Sequence, residues 1–237
     1  MAQLFITLFY QPLFNLLIFF YNLTWHDLGL AIIILTILVK MVLWPLSRQS
    51  TLAQKKLQVL QPRLEEIKKK YKDNREQQAK AMMELYRQEK INPLSSCLPV
   101  LIQLPVFIAV FRVFSSGLKS ANFNLLYPFI ANPDSLNSTL LGLFDLTKPN
   151  VVLAILAGLS QYWQTKMLMG KKDKASPSSK PGEGNLAAIM NKQMLYFMPV
   201  LVVFFGLSLP SGLTLYWLIF NLLTILQQFY LFKEKPA

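Results

Sequence analysis

A chain of 237 residues with 53% hydrophobic and only 15% charged side chains departs from an ordinary water-soluble domain, in which about 25% of residues are charged. Its net charge of +12 comes from 24 Lys and Arg against 12 Asp and Glu, arranged as basic stretches between long uncharged runs, the pattern of a membrane protein. One cysteine excludes an intrachain disulfide, and one cysteine with one histidine excludes a His/Cys metal cage.

Residues 1–25 carry no charged side chain, and Thr7, Gln11, Asn15 and Asn22 recur on one helical stripe. The pattern predicts an N-terminal interfacial amphipathic helix lying in the headgroup plane, with a sixth span as the alternative. No Lys or Arg precedes its apolar part and no small-residue cleavage site follows, so it is expected to stay in the mature chain. Residues 28–47 form the first predicted span, interrupted by Lys40. Residues 48–92 then read as a cytoplasmic helical hairpin, because Leu57, Leu60, Leu64, Ile67 and Tyr71 repeat at three- and four-residue steps before a turn at Asp73-Asn74. The alternative is a solvated connector whose charges serve topology alone.

The second span is expected over 94–116, with Arg112 as its single charge, and the third over 149–169, with Lys166 near its end. Between them, 117–148 is an extracytoplasmic loop rich in Asn, Pro and Ser. Residues 170–192, with a Lys-Lys-Asp-Lys run among Ser, Pro and Gly, read as a cytoplasmic linker. Spans at 193–209 and 211–232, separated by Pro210, precede a tail at 233–237. The fold class is therefore all-α: a polytopic membrane protein with five transmembrane helices. Of the Lys and Arg residues, 12 lie between Pro45 and Pro93, six between Lys166 and Lys192, and two after Phe232. This bias makes that side, and the C-terminus, cytoplasmic.

Polar residues inside the spans distinguish the chain from a set of anchors. Lys40 sits about two thirds of the way along the first span, where a lysine costs about 2.5–3.5 kcal/mol on insertion scales. Ser47 follows about 10 Å further along the helix, near the limit of snorkelling reach; burial and snorkelling are the two readings of this lysine. Thr214, Trp217, Asn221, Thr224 and Gln228 stack on one face of the last span. Ser160, Gln161 and Gln164 cluster on the third, Ser96 and Gln103 on the second, and Thr36 lies one turn before Lys40. Converging, these faces line a hydrated cavity with one fixed positive charge; taken singly, each is helix-to-helix glue worth about 0.6 kcal/mol. No catalytic constellation, no cofactor motif, no metal site and no intramembrane carboxylate base is present, which argues against an enzyme and a proton-coupled transporter.

Several motifs in order carry a resemblance. They are Leu-Gln-Pro at Leu60 to Pro62, Lys-Tyr-Lys-Asp at Lys70 to Asp73, Met-Met-Glu-Leu-Tyr at Met82 to Tyr86 and Asn-Pro-Leu at Asn92 to Leu94. Further along come Cys-Leu-Pro at Cys97 to Pro99, Ile-Gln-Leu-Pro-Val-Phe at Ile102 to Phe107, Met-Pro at Met198 to Pro199, Leu-Pro-Ser-Gly-Leu at Leu209 to Leu213, Leu-Tyr-Trp at Leu215 to Trp217 and Leu-Gln-Gln at Leu226 to Gln228. From about Leu28 to Phe232 the chain resembles the YidC family of membrane protein insertases, with its mitochondrial Oxa and chloroplast Albino relatives.

The resemblance implies five helices around a hydrophilic groove open to cytoplasm and lipid, with a cytoplasmic hairpin. The groove cation, usually arginine, corresponds to Lys40, and the groove glutamines and tryptophan look like Gln103, Gln161 and Trp217. Lysine keeps the charge and loses the bidentate fork. The sequence is expected to be without the large extracytoplasmic domain of Gram-negative members and the N-terminal lipoprotein cysteine of many Gram-positive members, and residues 233–237 are short for the basic ribosome-binding extension of some relatives.

The expected function is a membrane protein insertase and chaperone of the bacterial plasma membrane. The acidic tail of a newly made protein would enter the groove, attracted by Lys40 and hydrogen-bonded by Gln103, Gln161, Thr214 and Asn221, while its apolar segment slides into lipid. Expected partners are nascent membrane proteins, the Sec translocon, the ribosome, a targeting-factor receptor and membrane lipids, with no specific nucleic acid. The rival readings are a small-solute transporter, for which no inverted repeat is visible, and a passive membrane assembly scaffold.

Overall fold

The computed structural model describes residues 2–92, 98–114, 120–133, 136–169 and 193–233. The expected linker at 170–192, Ser96, and the tail beyond Lys233 lie outside the described residues.

Helix accounts for most of the described chain. A short α1 (Ala2–Phe5) passes through a π-turn (Ile6–Tyr10) into α2 (Gln11–Leu23), followed by α3 (Leu28–Val42), α4 (Trp44–Lys70) and α5 (Arg75–Gln88). Next are α6 (Leu98–Arg112), a 3-10 turn (Ser120–Leu125), strands β1 (Thr139–Leu140) and β2 (Phe144–Asp145), and α7 (Val151–Leu168). A π-turn (Gln193–Phe197) leads into α8 (Met198–Ser208), and α9 (Ser211–Lys233) completes the order. The only sheet among the described residues is the β1–β2 pair, antiparallel, with Thr139 opposite Asp145 and Leu140 opposite Phe144.

Local chemistry sets the boundaries. Asp27, Asn74 and Asn150 are extended residues whose side chains accept hydrogen bonds from Leu30 N (2.8 Å), Gln77 N (3.0 Å) and Leu153 N (3.1 Å), capping α3, α5 and α7. Pro45 lacks an N–H and its ring crowds the carbonyl four residues back, so the run expected as one helix over 28–47 breaks at Leu43 and α4 leaves at 68°.

By length and apolarity, among the described residues, Gln3–Leu23 and Ser211–Lys233 suffice to cross a membrane, and the bent pair α3–α4 adds a third if taken together. The apolar stretches Gln103–Arg112 and Gln193–Ser208 are shorter.

The core is organised on α9, which packs along α7 and α3, while α8 lies against α7 and α2 against α3. Hydrocarbon is as apolar as leucine, so close backbone approach rather than water expulsion holds helices together in lipid. Gly206 on α8 shows this: a Cβ there would fall 2.8 Å from Ala154 Cβ and 3.2 Å from Thr214 Cγ2. Phe14, Leu17, Ile18 and Tyr21 of α2 are buried at 1% exposure or less, so the N-terminal helix belongs to the core.

The polar stripe of that helix is occupied by the loop after α6. Gln11 Nε2 and Asn15 Nδ2 donate to Leu125 O (3.1 and 2.9 Å), Asn15 Oδ1 accepts from Tyr127 N (2.6 Å), and Asn22 Nδ2 donates to Ala131 O (2.8 Å). The loop also closes the start of α9, where Ser211 N and Gly212 N donate to Lys148 O and Leu146 O. In the hairpin only Leu60 of the α4 seam is buried, opposite buried Leu85. Its two helices are further joined by the Arg63–Glu89 ion pair (2.6 Å) and by Gln78 Nε2 donating to Lys68 O.

Candidate functional site: a buried lysine and the polar face of the last helix

Lys40 lies in the last turn of α3 and is 3% exposed. Its side chain runs toward the C-terminal end of α3, the direction of snorkelling, but stops inside the protein. Nζ donates to Thr224 Oγ1 (2.9 Å) and to Ser47 Oγ (3.2 Å), and sits 4.5 Å from the centre of the Phe220 ring. Ser47 Oγ in turn donates to Gln227 Oε1 (2.8 Å). Among the described residues no carboxylate pairs with this ammonium. The lysine is therefore a desolvated cation held by two hydroxyl oxygens and a ring face, with its charge uncompensated.

The remaining expected residues divide among the helices that neighbour the α9 stripe. On the α7 side Asn221 Nδ2 donates to Ser160 Oγ (3.1 Å), and Ser160 donates to Ala157 O (2.7 Å). Gln161 Nε2 reaches Thr165 Oγ1 at 3.5 Å, a marginal contact. On the α6 side Gln103 Nε2 donates to Tyr216 Oη (2.7 Å), and Trp217 meets Phe107 edge to face, with ring centres 5.4 Å apart. Thr214 is buried at the α8 crossing, its methyl facing Gly206. Thr36 is fully buried and donates to Ile32 O in its own helix (2.6 Å), so its hydroxyl proton is used locally. Lys40 contacts none of the other expected residues directly; Thr224, one turn beyond Asn221, links it to the α9 stripe.

Three buried amide atoms have no hydrogen-bond partner among the described residues: Gln164 Oε1 on α7, and Gln228 Oε1 and Gln227 Nε2 on α9. Buried polar groups are overwhelmingly paired. Two of the three are acceptors, Gln164 Oε1 and Gln228 Oε1, and one is a donor, Gln227 Nε2.

Ser47, Phe220 and Gln227 escape a reading by helical stripe, because they lie on other faces or beyond the bend. The seven-residue step from Lys40 to Ser47 was the one available signal.

Comparison with known proteins follows the same lines. A family profile described as 60Kd inner membrane protein matches residues 19–237. A protein of Fusobacterium nucleatum named membrane protein insertase YidC is 36% identical over 208 residues, covering 88% of this chain and 87% of the relative. Proteins of the same name from Geobacter metallireducens and Pelobacter propionicus are 37% and 39% identical over 229 residues, 96% of this chain. The chain spans only 37% and 39% of those two relatives' own lengths.

Proposed function

The chain belongs to the 60Kd inner membrane protein family, and from that premise we propose that this all-α bacterial membrane protein is a membrane protein insertase and chaperone. It works as a multi-pass protein of the plasma membrane with five spans, a cytoplasmic hairpin and a cytoplasmic C-terminus. Residues 1–25 serve as the element that rests against the outer connector.

The observation that carries the reading is Lys40: a buried cation for which no described residue supplies a carboxylate. The attraction of a lysine in this setting is available to an acidic segment of a client, and grows as the local dielectric falls. Gln103, Gln161, Gln164, Thr214, Trp217 and Asn221 form the polar side past which such a segment moves, with the unmet Gln164 and Gln228 oxygens accepting from its backbone. Hydrogen bonds from protein and trapped water replace those lost from bulk water, so the desolvation cost of the crossing falls. The client's apolar segment then partitions into lipid through its own burial, with no nucleotide consumed and no covalent step. Nascent membrane proteins are the clients, while the hairpin receives them from a ribosome, a targeting-factor receptor or the Sec translocon.

Site-directed crosslinking tests the reading. Photoreactive residues at Gln161 and Trp217 are expected to give adducts with a ribosome-stalled nascent membrane protein, while one at lipid-facing Val200, 66% exposed, gives fewer with its acidic tail. A transporter or a passive scaffold yields no adducts from the first two positions, and that result rejects insertion.

A further inference from the structure

On the side of α9 away from its polar stripe, a cleft of about 390 Å³ separates α9 from α3 and the start of α4. At 3.6 residues per turn, the cleft residues Leu223, Leu226, Gln227 and Tyr230 lie about 140° around α9 from the stripe that carries Asn221. The cleft is thus separate from the polar side discussed above. Lys40 and Gln227 belong to both: the cleft is lined by each of them, while the Lys40 ammonium turns to Thr224 and Gln227 Oε1 accepts from Ser47.

The cleft has two distinct zones. Its deep walls are hydrocarbon: Ile37 and Met41 from α3, Leu223 and Leu226 from α9. Ile37, Met41 and Leu226 are 38%, 59% and 63% exposed, so the slot opens outward, toward lipid in a membrane. Its mouth carries Trp44 and Tyr230, the amphipathic aromatic residues that favour the headgroup boundary. Gln227 also lines the cleft and is 1% exposed; its Nε2 is itself buried and donates to nothing among the described residues. Arg48 follows Trp44 by four residues on α4, one turn further along the same helix face, and is exposed. Bare hydrocarbon leaves Arg48 unanswered, and a zwitterionic lipid compensates its charge poorly.

We infer that this cleft is a binding site for one anionic phospholipid of the adjoining leaflet, with its acyl chain between α3 and α9 and its phosphate toward Arg48. Assignment to the cytoplasmic leaflet rests on the orientation proposed above; the site itself does not. The lipid lies against the stem of Lys40 and the Ser47–Gln227 pair, so it braces the elements that hold the ammonium, while client capture uses the other face.

The full chain, purified from vesicles of equal phosphatidylglycerol and phosphatidylcholine, is expected to retain one phosphatidylglycerol in native mass spectrometry. Leu226→Trp fills the slot from an exposed position and lowers retention about tenfold, the effect of displacing roughly two buried methylenes. Arg48→Gln leaves the slot open and lowers the preference for phosphatidylglycerol several-fold. Parent-like retention in Leu226→Trp, or retention by the parent that ignores headgroup charge, overturns the inference. Crosslinks from Gln161 and Trp217 to a client are expected to persist in both variants and report the polar side independently of the lipid.

Discussion

Replacing Lys40 by methionine separates what this residue does for the fold from what it does for a client. The ammonium contributes two charge-assisted hydrogen bonds, about 1.5–3 kcal/mol each in a protein interior, and a ring contact over Phe220. Against this stands the cost of holding a lysine at membrane depth, about 2.5–3.5 kcal/mol on insertion scales. The loss of the cation strands no donor, because Thr224 Oγ1 still donates to Phe220 O (2.8 Å) and Ser47 Oγ to Gln227 Oε1 (2.8 Å). Methionine fills nearly the volume of the lysine stem. Lys40→Met is therefore expected to change unfolding free energy by no more than about 3.5 kcal/mol, the residue left when these opposing contributions are set against each other.

Client capture has no such offset. A carboxylate about 4 Å from the ammonium gains on the order of 4 kcal/mol at an effective dielectric constant near 20. Even half of that, lost, slows insertion of an acidic-tailed client about thirtyfold. Protease protection of a client inserted into reconstituted vesicles measures this, with urea unfolding in detergent run in parallel. Lys40→Arg should retain most activity, Lys40→Ala should behave as Lys40→Met, and a client with a neutral tail should be affected little by any of them. Equal insertion of the acidic client by parent, Arg, Ala and Met proteins would refute the capture step. A Met variant that unfolds would show instead that the lysine is chiefly structural.

Two further outcomes follow from the geometry. Gly206→Val places methyl groups into Ala154 and Thr214 at a helix crossing with no free space. It should destabilise by about 1–3 kcal/mol, as overpacking does, read as a lower unfolding midpoint in detergent. In the outer loop, the Asp145 carboxylate accepts from the Thr147 hydroxyl and N–H, with Lys148 Nζ 3.2 Å away, and these hold its pKa below the ordinary carboxylate value. A depressed folded pKa means the stabilisation is present above the unfolded pKa and fades as pH falls through the folded one. The parent should therefore exceed Asp145→Asn in stability at neutral pH by less than about 1 kcal/mol, given the exposed site. The gap should close under acid, and a gap that widens instead would reverse the assignment.

Much of the molecule was legible in the sequence because hydropathy and helical periodicity are local. The apolar runs, the charge asymmetry, the turn at Asp73-Asn74 and the stripe on the last helix follow from neighbours within a few residues. Lys40 stood out because an ion at membrane depth conflicts with its surroundings. The resemblance carried by Leu-Pro-Ser-Gly-Leu and Ile-Gln-Leu-Pro-Val-Phe identified the family before any contact was known.

Tertiary structure decided which groups answer one another. That Lys40 meets Thr224, 184 residues away, depends on how α3 packs along α9, and no helical stripe specifies a partner helix. Ser47 reaches both Lys40 and Gln227 only because Pro45 turns α4 aside at Leu43. The amides of Gln11, Asn15 and Asn22, which suit a headgroup surface in isolation, go to carbonyls of a loop more than 100 residues on. Sequence thus determined which helices form and which faces are polar, through short-range sterics and solvation. Packing, which pairs groups far apart in the chain, determined that the lysine is held by hydroxyls and, among the described residues, meets no carboxylate.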